Sequence, residues 1–492
     1  MPPLSNPPQT EPAVVSNSTS SSSKHNWWQS SIVRRTVSFV ANDLERLFAN
    51  APFLHDVAAD TSIALFHRSE IETGRILGKG GFSVVRAVAA FHLDDTVTAR
   101  LTPAERTLRE QCVRNCTTAS GESRYAVKHL QSRLLKNPKD FHFAASDLAV
   151  EAAYLSRLDH PNILQAQGLP IDGIQALSDG KHDGFFILMD RLEDTLDHRI
   201  QQWKEEQILA PQAQHEPPQR LSYALQIASA LEYMHSKGIM FRDLKPHNIG
   251  FTSGTDTVQL LDFGLVRELP NPAAAVNDTF EMSGVGTRRY MAVEIINDSR
   301  YNCKIDVFSW SMVVWEMLSL TKPYAAYSVE EHKEYVCEGG ERPALDANWS
   351  NSLQNLFQQA WTTDISERFT MERVCNELRA VIFRDKIQIA PGSPISAMED
   401  TSLVKALVLQ KEDLTRPTPV FLNLPSFRKE VDDDNERELK ISPTRSISVS
   451  LSSHWSEALD VSSTSVWDLA LTSLEGIEVV VDAALERRVR TV

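Results

Sequence analysis

FRDLKPHN at residues 241–248, followed by DFG at 262–264, is the reading on which the fold turns. The first motif places Asp243, Lys245 and Asn248 in one short span after a stretch, 220–236, whose apolar residues Leu221, Ala224, Leu225, Ala228, Leu231 and Met234 recur at helical spacing. An aspartate can accept a hydroxyl proton, a lysine can neutralise a moving phosphoryl group, and an asparagine can ligate a cation. The second motif closes the apolar run QLL. Its Asp262 is suited to chelating a magnesium ion that bridges phosphates, with Phe263 packing inward. Alone, DFG is an ordinary Asp-Gly turn.

Working upstream, GKGGFSVV (78–85) lies between two strand patterns, and Gly78, Gly80 and Gly81 would let backbone N–H groups approach phosphate oxygens. It lacks the GxxxxGK[ST] spacing, and no helix follows it directly, so a dinucleotide-type fold fits poorly. In YAVKHL (125–130), alternation puts Ala126, Lys128 and Leu130 on one face and Tyr125, Val127 and His129 on the other. A lysine on an apolar face needs an anion. Glu151, on a helix pattern over 144–158, is the candidate; an edge-strand lysine in water is the alternative.

In this order the motifs resemble a eukaryotic protein kinase of the serine/threonine type, over roughly residues 70–385. The resemblance implies an α+β, two-lobed fold with a β-rich N-lobe carrying one key helix and a larger helical C-lobe. It implies ATP and Mg2+, with the γ-phosphate passing to Ser or Thr hydroxyls of protein substrates. By position, Asp243 would be the base and Lys245 its support. Lys128, paired with Glu151, would grip phosphates; Asn248 and Asp262 would hold magnesium. The nucleotide site would comprise Gly78, Gly80, Gly81, Val85 and Lys128, Met189 as gatekeeper, and the hinge residues Asp190 and Leu192. Glu294 would pair with Arg368, Asp306 would anchor the catalytic loop, and Leu155, Phe263 and Phe241 would form an internal spine. GGERPALDANW, with Trp361, Asp364 and Arg368 beyond it, resembles the tyrosine-kinase-like branch.

Some positions depart from the family pattern. Phe241 stands for histidine, Ser83 for the third glycine, Val293 and Phe369 for prolines, and Ser311 for a glycine. Every group needed for transfer remains, and the other class open is a pseudokinase acting as a nucleotide-binding scaffold. Arg242 before Asp243 resembles kinases whose activation segment is ordered by phosphorylation, which makes Thr279 and Ser283 candidate targets of an upstream kinase, with Thr287 structural or substrate-contacting.

The chain has 492 residues; its 42% hydrophobic content is slightly lean for a wholly globular chain, and its formal net charge of -15 argues against a dedicated nucleic-acid binder. Five cysteines make no disulfide framework, and the Cys112/Cys116 pair lacks the partners a zinc site needs. With no signal segment and no apolar run of ~20 residues, a soluble intracellular protein, cytoplasmic or nuclear, without membrane insertion is expected. The domain reading is a mostly disordered extension over 1–68 with a short helix from Thr36, and a catalytic domain over 69–385. A disordered acidic and Ser-Pro tail over 386–464 and a C-terminal amphipathic helix over 465–492 complete it. Ser38 in RRTVS and Ser442 before proline are candidate modification sites, and two insertions, 89–121 with its charged, helix-like stretch TPAERTLREQCVRN and the polar loop 203–219, are candidate substrate-recruiting segments.

Overall fold

The computed structural model describes residues 20–49, 51–56, 63–118, 121–179, 181–209, 217–269, 277–280, 282 and 285–389. Contacts divide the chain into Met1–Pro391 and Gly392–Val492. The second unit, with the 465–492 pattern and Ser442, lies outside the described residues, as does Ser283.

The N-lobe is a six-stranded sheet of β1 (Ala64–Phe66), β2 (Ile71–Lys79), β3 (Ser83–Phe91), β4 (Tyr125–Leu130), β5 (Ala166–Pro170) and β6 (Phe186–Asp190), in the order β1-β5-β6-β4-β3-β2. Neighbours are antiparallel except β1 with β5, which are parallel. All six residues of β4 are buried, and the expected alternation holds. Ala126 and Leu130 join the main core, whereas Tyr125 and Val127 join a smaller cluster with Phe66, Phe186 and Leu188.

That smaller cluster has its own roof. Within the 89–121 insertion the structure forms α3 (Asp95–Ala99) and, in the helix-like stretch TPAERTLREQCVRN, α4 (Pro103–Arg114). A capping box between Thr102 and Glu105, with Pro103 in the first turn, starts α4, and Cys112 projects into the cluster. Burial pushes the Cys112 thiol up to about 11, so it stays protonated and inert. Arg109 of α4 is fully buried, paired with Glu70 and lying over the Phe66 ring.

The sheet's other face receives α5 (Pro138–Leu155). It starts earlier than the spacing indicates because Asn137 accepts the Lys139 N–H and Pro138 occupies the first turn. Ahead of the sheet run α1 (Ser20–Ala49), longer than the expected short helix, and α2 (Pro52–Asp56). Thr36, Val37 and Val40 of α1 are buried, Ser38 is exposed, and Phe39 stacks on His142 of α5 at 5.0 Å.

The C-lobe begins with β7 (Leu192–Thr195) and α6 (Leu196–Leu209), so helix occupies the first part of the 203–219 stretch expected as a loop. Then come α7 (Pro217–Ser236), β8 (Ile239–Met240), β9 (Ile249–Thr252), β10 (Val258–Leu260) and β11 (Arg267–Glu268). After these follow α8 (Val293–Ile296), α9 (Lys304–Ser319), α10 (Val329–Glu331), α11 (Asn351–Ala360) and α12 (Met371–Ile389). Helix α9 is buried on nearly every side, which is why its sequence is apolar all round. No described helix is long and apolar enough to cross a membrane. The architecture is the two-lobed α+β fold that the resemblance implied.

Candidate active site

Strand register gathers the first half of the site. Gly78 pairs with Val85, and Val85 with Lys128, so the glycine turn, Val85 and the lysine stand side by side on three strands. A Cβ at Gly78 or Gly81 would meet no atom within 4 Å, so nothing inside the protein demands glycine there. The room fits a phosphate chain approaching the backbone from outside. The turn itself is held by Gly80 N–H donating to Ser83 O at 3.0 Å, and by Gln131 Nε2 donating to Gly80 O at 2.7 Å.

Lys128 Nζ donates to both oxygens of Glu151, at 2.8 and 2.6 Å, and lies 3.1 Å from Asp262 Oδ1. Burial opposes the ammonium's charge, but the carboxylates of Glu151 and Asp262 outweigh it and hold Lys128 above its ordinary range. Lys128 in turn holds the Asp262 carboxyl below its ordinary range. The anion required by a lysine on an apolar face is therefore present, and the edge-strand alternative falls.

The second half is built on a buried carboxylate. Asp306, at the start of α9, is fully buried; its oxygens accept the Phe241 and Arg242 N–H groups, each at 2.8 Å, and contact His235 Nε2 at 2.9 Å. This fixes the loop despite the left-handed backbone of Arg242, φ 69°. Beyond it, Asp243 Oδ2 meets Lys245 Nζ at 2.5 Å, and Oδ1 accepts from the Thr287 hydroxyl at 2.8 Å. Asn248 Nδ2 donates to Asp243 O at 2.9 Å and lies 3.2 Å from Asp243 Oδ2. Gly286 admits no side chain, since a Cβ would lie 2.8 Å from Arg242 O. Phe241 and Phe263 meet edge to face at 5.3 Å, both in the main core with Leu155. That contact is why Phe241 can stand in for histidine.

Two of the remaining departures have local explanations. Val293 opens α8, where a missing proline leaves an N–H that would be unpaired in the helix anyway. The buried Ser311 hydroxyl donates to Phe308 O at 2.6 Å. Glu294 and Arg368 form a buried two-pronged pair at 2.6 and 3.1 Å. Met189 is buried at the end of β6, and Asp190 turns its carboxylate to Arg124 and Gln167, both at 3.0 Å. Leu192 pairs with Thr252 across β7 and β9. A concavity of about 920 Å³ lies against these hinge residues and His160, away from Lys128, Asp243 and Asp262. Arg242 is buried, with its guanidinium on Leu265 O at 2.7 Å and Tyr301 Oη at 3.0 Å, while the Thr279 carbonyl accepts from Arg300.

Asp262 and Asn248 offer oxygen donors suited to a hard divalent cation, so the donor set fits magnesium. A separate group on the far face of the sheet, His129, His182 and Asp183, brings three ligand atoms within 4.8 Å. There Arg68 Nε, 3.1 Å from Asp183, already supplies the positive charge. Sequence reasoning missed Glu268 altogether, because no motif marks it. Its carboxylate accepts the Phe53 N–H at 2.7 Å, the Leu54 N–H at 3.3 Å and the Tyr154 hydroxyl at 3.2 Å.

A family model described as protein kinase domain matches residues 109–378, more than half of the chain. Human mitogen-activated protein kinase kinase kinase 7 is 26% identical over 229 residues, 46% of this chain and 34% of that protein. Serine/threonine-protein kinase VIK of Arabidopsis thaliana is 30% identical over 240 residues, 48% of this chain and 50% of its own. Serine/threonine/tyrosine-protein kinase HT1 of the same plant is 28% identical over 260 residues, 53% and 60%. The match thus spans between about a third and 60% of these relatives' lengths.

Proposed function

The chain belongs to the protein kinase family, and from that premise we propose that it is an active serine/threonine kinase of the tyrosine-kinase-like branch, with its catalytic domain over 69–385. It transfers the γ-phosphate of ATP to Ser or Thr hydroxyls of proteins inside the cell. The observation that carries this reading is Lys128, held between Glu151 and Asp262 while Asp243 stands bonded to Lys245 and Thr287. A scaffold that had lost catalysis would have no need to keep both constellations at once.

In this reading the Gly78–Gly81 backbone and Lys128 bind the phosphates, and Glu151 keeps the lysine from swinging away. The hinge backbone from Asp190 to Leu192, under Met189, takes the adenine. Asn248 and Asp262 would hold magnesium, which supplies positive charge beside the transferred phosphoryl group. Asp243 orients the substrate hydroxyl and takes its proton, and Lys245 stabilises charge on the moving group. Lys245 and a Thr at 287 support the serine/threonine assignment, since the hydroxyl of Thr287 shares Asp243 with the lysine. Thr279 and Ser283 are the proposed targets of an upstream kinase.

The test is phosphorylation of generic protein substrates by the full chain with labelled ATP and magnesium, beside Asp243→Asn, followed by phosphoamino-acid identification. Label on Ser or Thr that disappears in the variant is expected. Absence of label from both, with a folded protein that still binds nucleotide, would instead make the chain a nucleotide-binding scaffold.

A further inference from the structure

Helix α2 is only five residues long, too short to persist on its own in water. Its start is Pro52, which has no N–H, so the first amides needing acceptors are those of Phe53 and Leu54. Both are taken by one carboxylate from 214 or 215 residues further along the chain, Glu268 of β11. The same carboxylate accepts the Tyr154 hydroxyl of α5. A buried carboxylate is costly without donors, and here donors arrive from two elements.

Both elements lead to the reacting groups. Tyr154 lies three residues beyond Glu151 on α5, hence on the same helix face as the carboxylate that holds Lys128. Strand β11 follows the Asp262 loop and pairs with Ile239–Met240, immediately before Phe241 and Asp243. On the other side, α1 buries Thr36, Val37 and Val40, while Phe39 packs on His142 and Phe143 of α5. Lys237 of the helical lobe lies 5.6 Å over the Phe53 ring. Helix α1 thus touches the N-terminal part of α5, and α2 reaches the loop system and Tyr154 through Glu268.

We propose that Glu268 is a positioning residue that couples the seating of residues 35–56 to the closed Lys128–Glu151 pair. With the N-terminal segment seated, Glu268 is satisfied and clamps Tyr154, which holds α5 inward. Release of the segment withdraws two donors from the carboxylate and removes the apolar cover from α5. Helix α5 then rotates outward more readily, separating Glu151 from Lys128. The N-terminal extension is therefore part of the catalytic apparatus, although it contributes no group to the nucleotide or the substrate. This coupling rests on the kinase reading for its effect on turnover, but not for its mechanical part.

The experiment compares the full chain with Glu268→Gln, Tyr154→Phe, Val40→Asp and the double variant Glu268→Gln/Val40→Asp. Hydrogen exchange is read on α1, α2 and α5, and steady-state kinetics in ATP alongside, after thermal melting confirms each variant folds. Glu268→Gln should deprotect α1 and α2 although it lies in neither, and Val40→Asp should deprotect α5. Each should lower kcat/KM for ATP by about tenfold or more, the scale of one charge-assisted hydrogen bond. The double variant should be no worse than the worse single one, because both act by unseating the same N-terminal segment. Exchange on α1 and α2 that is indifferent to Glu268→Gln, or fully additive losses, overturns the proposal. If the wild-type chain transfers no phosphate at all, the kinase reading falls, and the exchange data alone still decide the coupling. Should Val40→Asp fail to fold, Tyr154→Phe, which removes a single hydroxyl, takes its place in the double variant under the same criteria.

Discussion

Asp306→Asn is the substitution that best separates positioning from chemistry. The native carboxylate accepts two backbone N–H groups, each at 2.8 Å, from consecutive residues, and is fully buried. An asparagine keeps one acceptor oxygen, so one amide bond survives without its charge assistance, a loss of about 1 kcal/mol. The other amide faces an NH2 group and is left unsatisfied, at about 1–3 kcal/mol. Arg242 resists this poorly, because its left-handed backbone already stores roughly 1–2 kcal/mol that the pair of bonds restrains. A net loss near 3 kcal/mol, localised in the loop, corresponds to about a hundredfold fall in kcat. Lys128 is held by Glu151 and Asp262, whereas Asp306 holds Phe241, Arg242 and His235, so KM for ATP should stay within about twofold. The assay is peptide phosphorylation over a range of ATP concentrations, with urea unfolding in parallel. Loss of stability with unchanged kcat would refute the reasoning, as would a rise in KM for ATP at constant kcat.

Other outcomes follow from the same geometry. Lys128→Met should reduce phosphotransfer by at least ~100-fold, measured with labelled ATP, since it removes the cation on which two carboxylates converge. Arg109→Met should destabilise the protein by about 3–5 kcal/mol by leaving Glu70 buried without its cation, and adding Glu70→Gln should recover part of that in urea melts. Burial pushes the Asp147 carboxyl up to about 6, above its unfolded value, so ionising it costs the folded state stability as pH rises from about 4 through 6. Asp147→Asn should accordingly stabilise by up to about 3 kcal/mol at pH 7.5 and by little below about pH 3, read as melting temperature against pH. If Thr279 or Ser283 carries an activating phosphate, phosphatase treatment should lower activity severalfold; unchanged turnover removes that regulation.

The clustering of the candidate site was legible because its signals are local. Asp243, Lys245 and Asn248 lie within one loop, and the strand alternation that demanded an anion for Lys128 needs only six residues to read. Glu151 followed from a helix pattern over 144–158 and from the need of Lys128 for an anion. What escaped was long-range. Strand β1 has three residues, too few to show a period, and its parallel pairing with β5 spans about a hundred residues. The α4 pattern was readable as a helix, yet nothing in it announced that Arg109 would be buried against Glu70. Glu268 looks like any charged strand residue until the amides of Phe53 and Leu54 are placed beside it.

The contact between Phe53 and Glu268 also sets a timetable on the ribosome. The two residues are 215 positions apart, so at about 5–20 residues per second the acceptor emerges roughly 10 to 40 s after the helix it caps. For that interval the Phe53 and Leu54 amides lack their acceptor, although α5, on which α1 packs, emerges well before it, and the start of the nascent chain stays incompletely seated. Translation speed and chaperone supply therefore bear on how much of this protein reaches its working form, and slower decoding between codons 54 and 268 lengthens that interval.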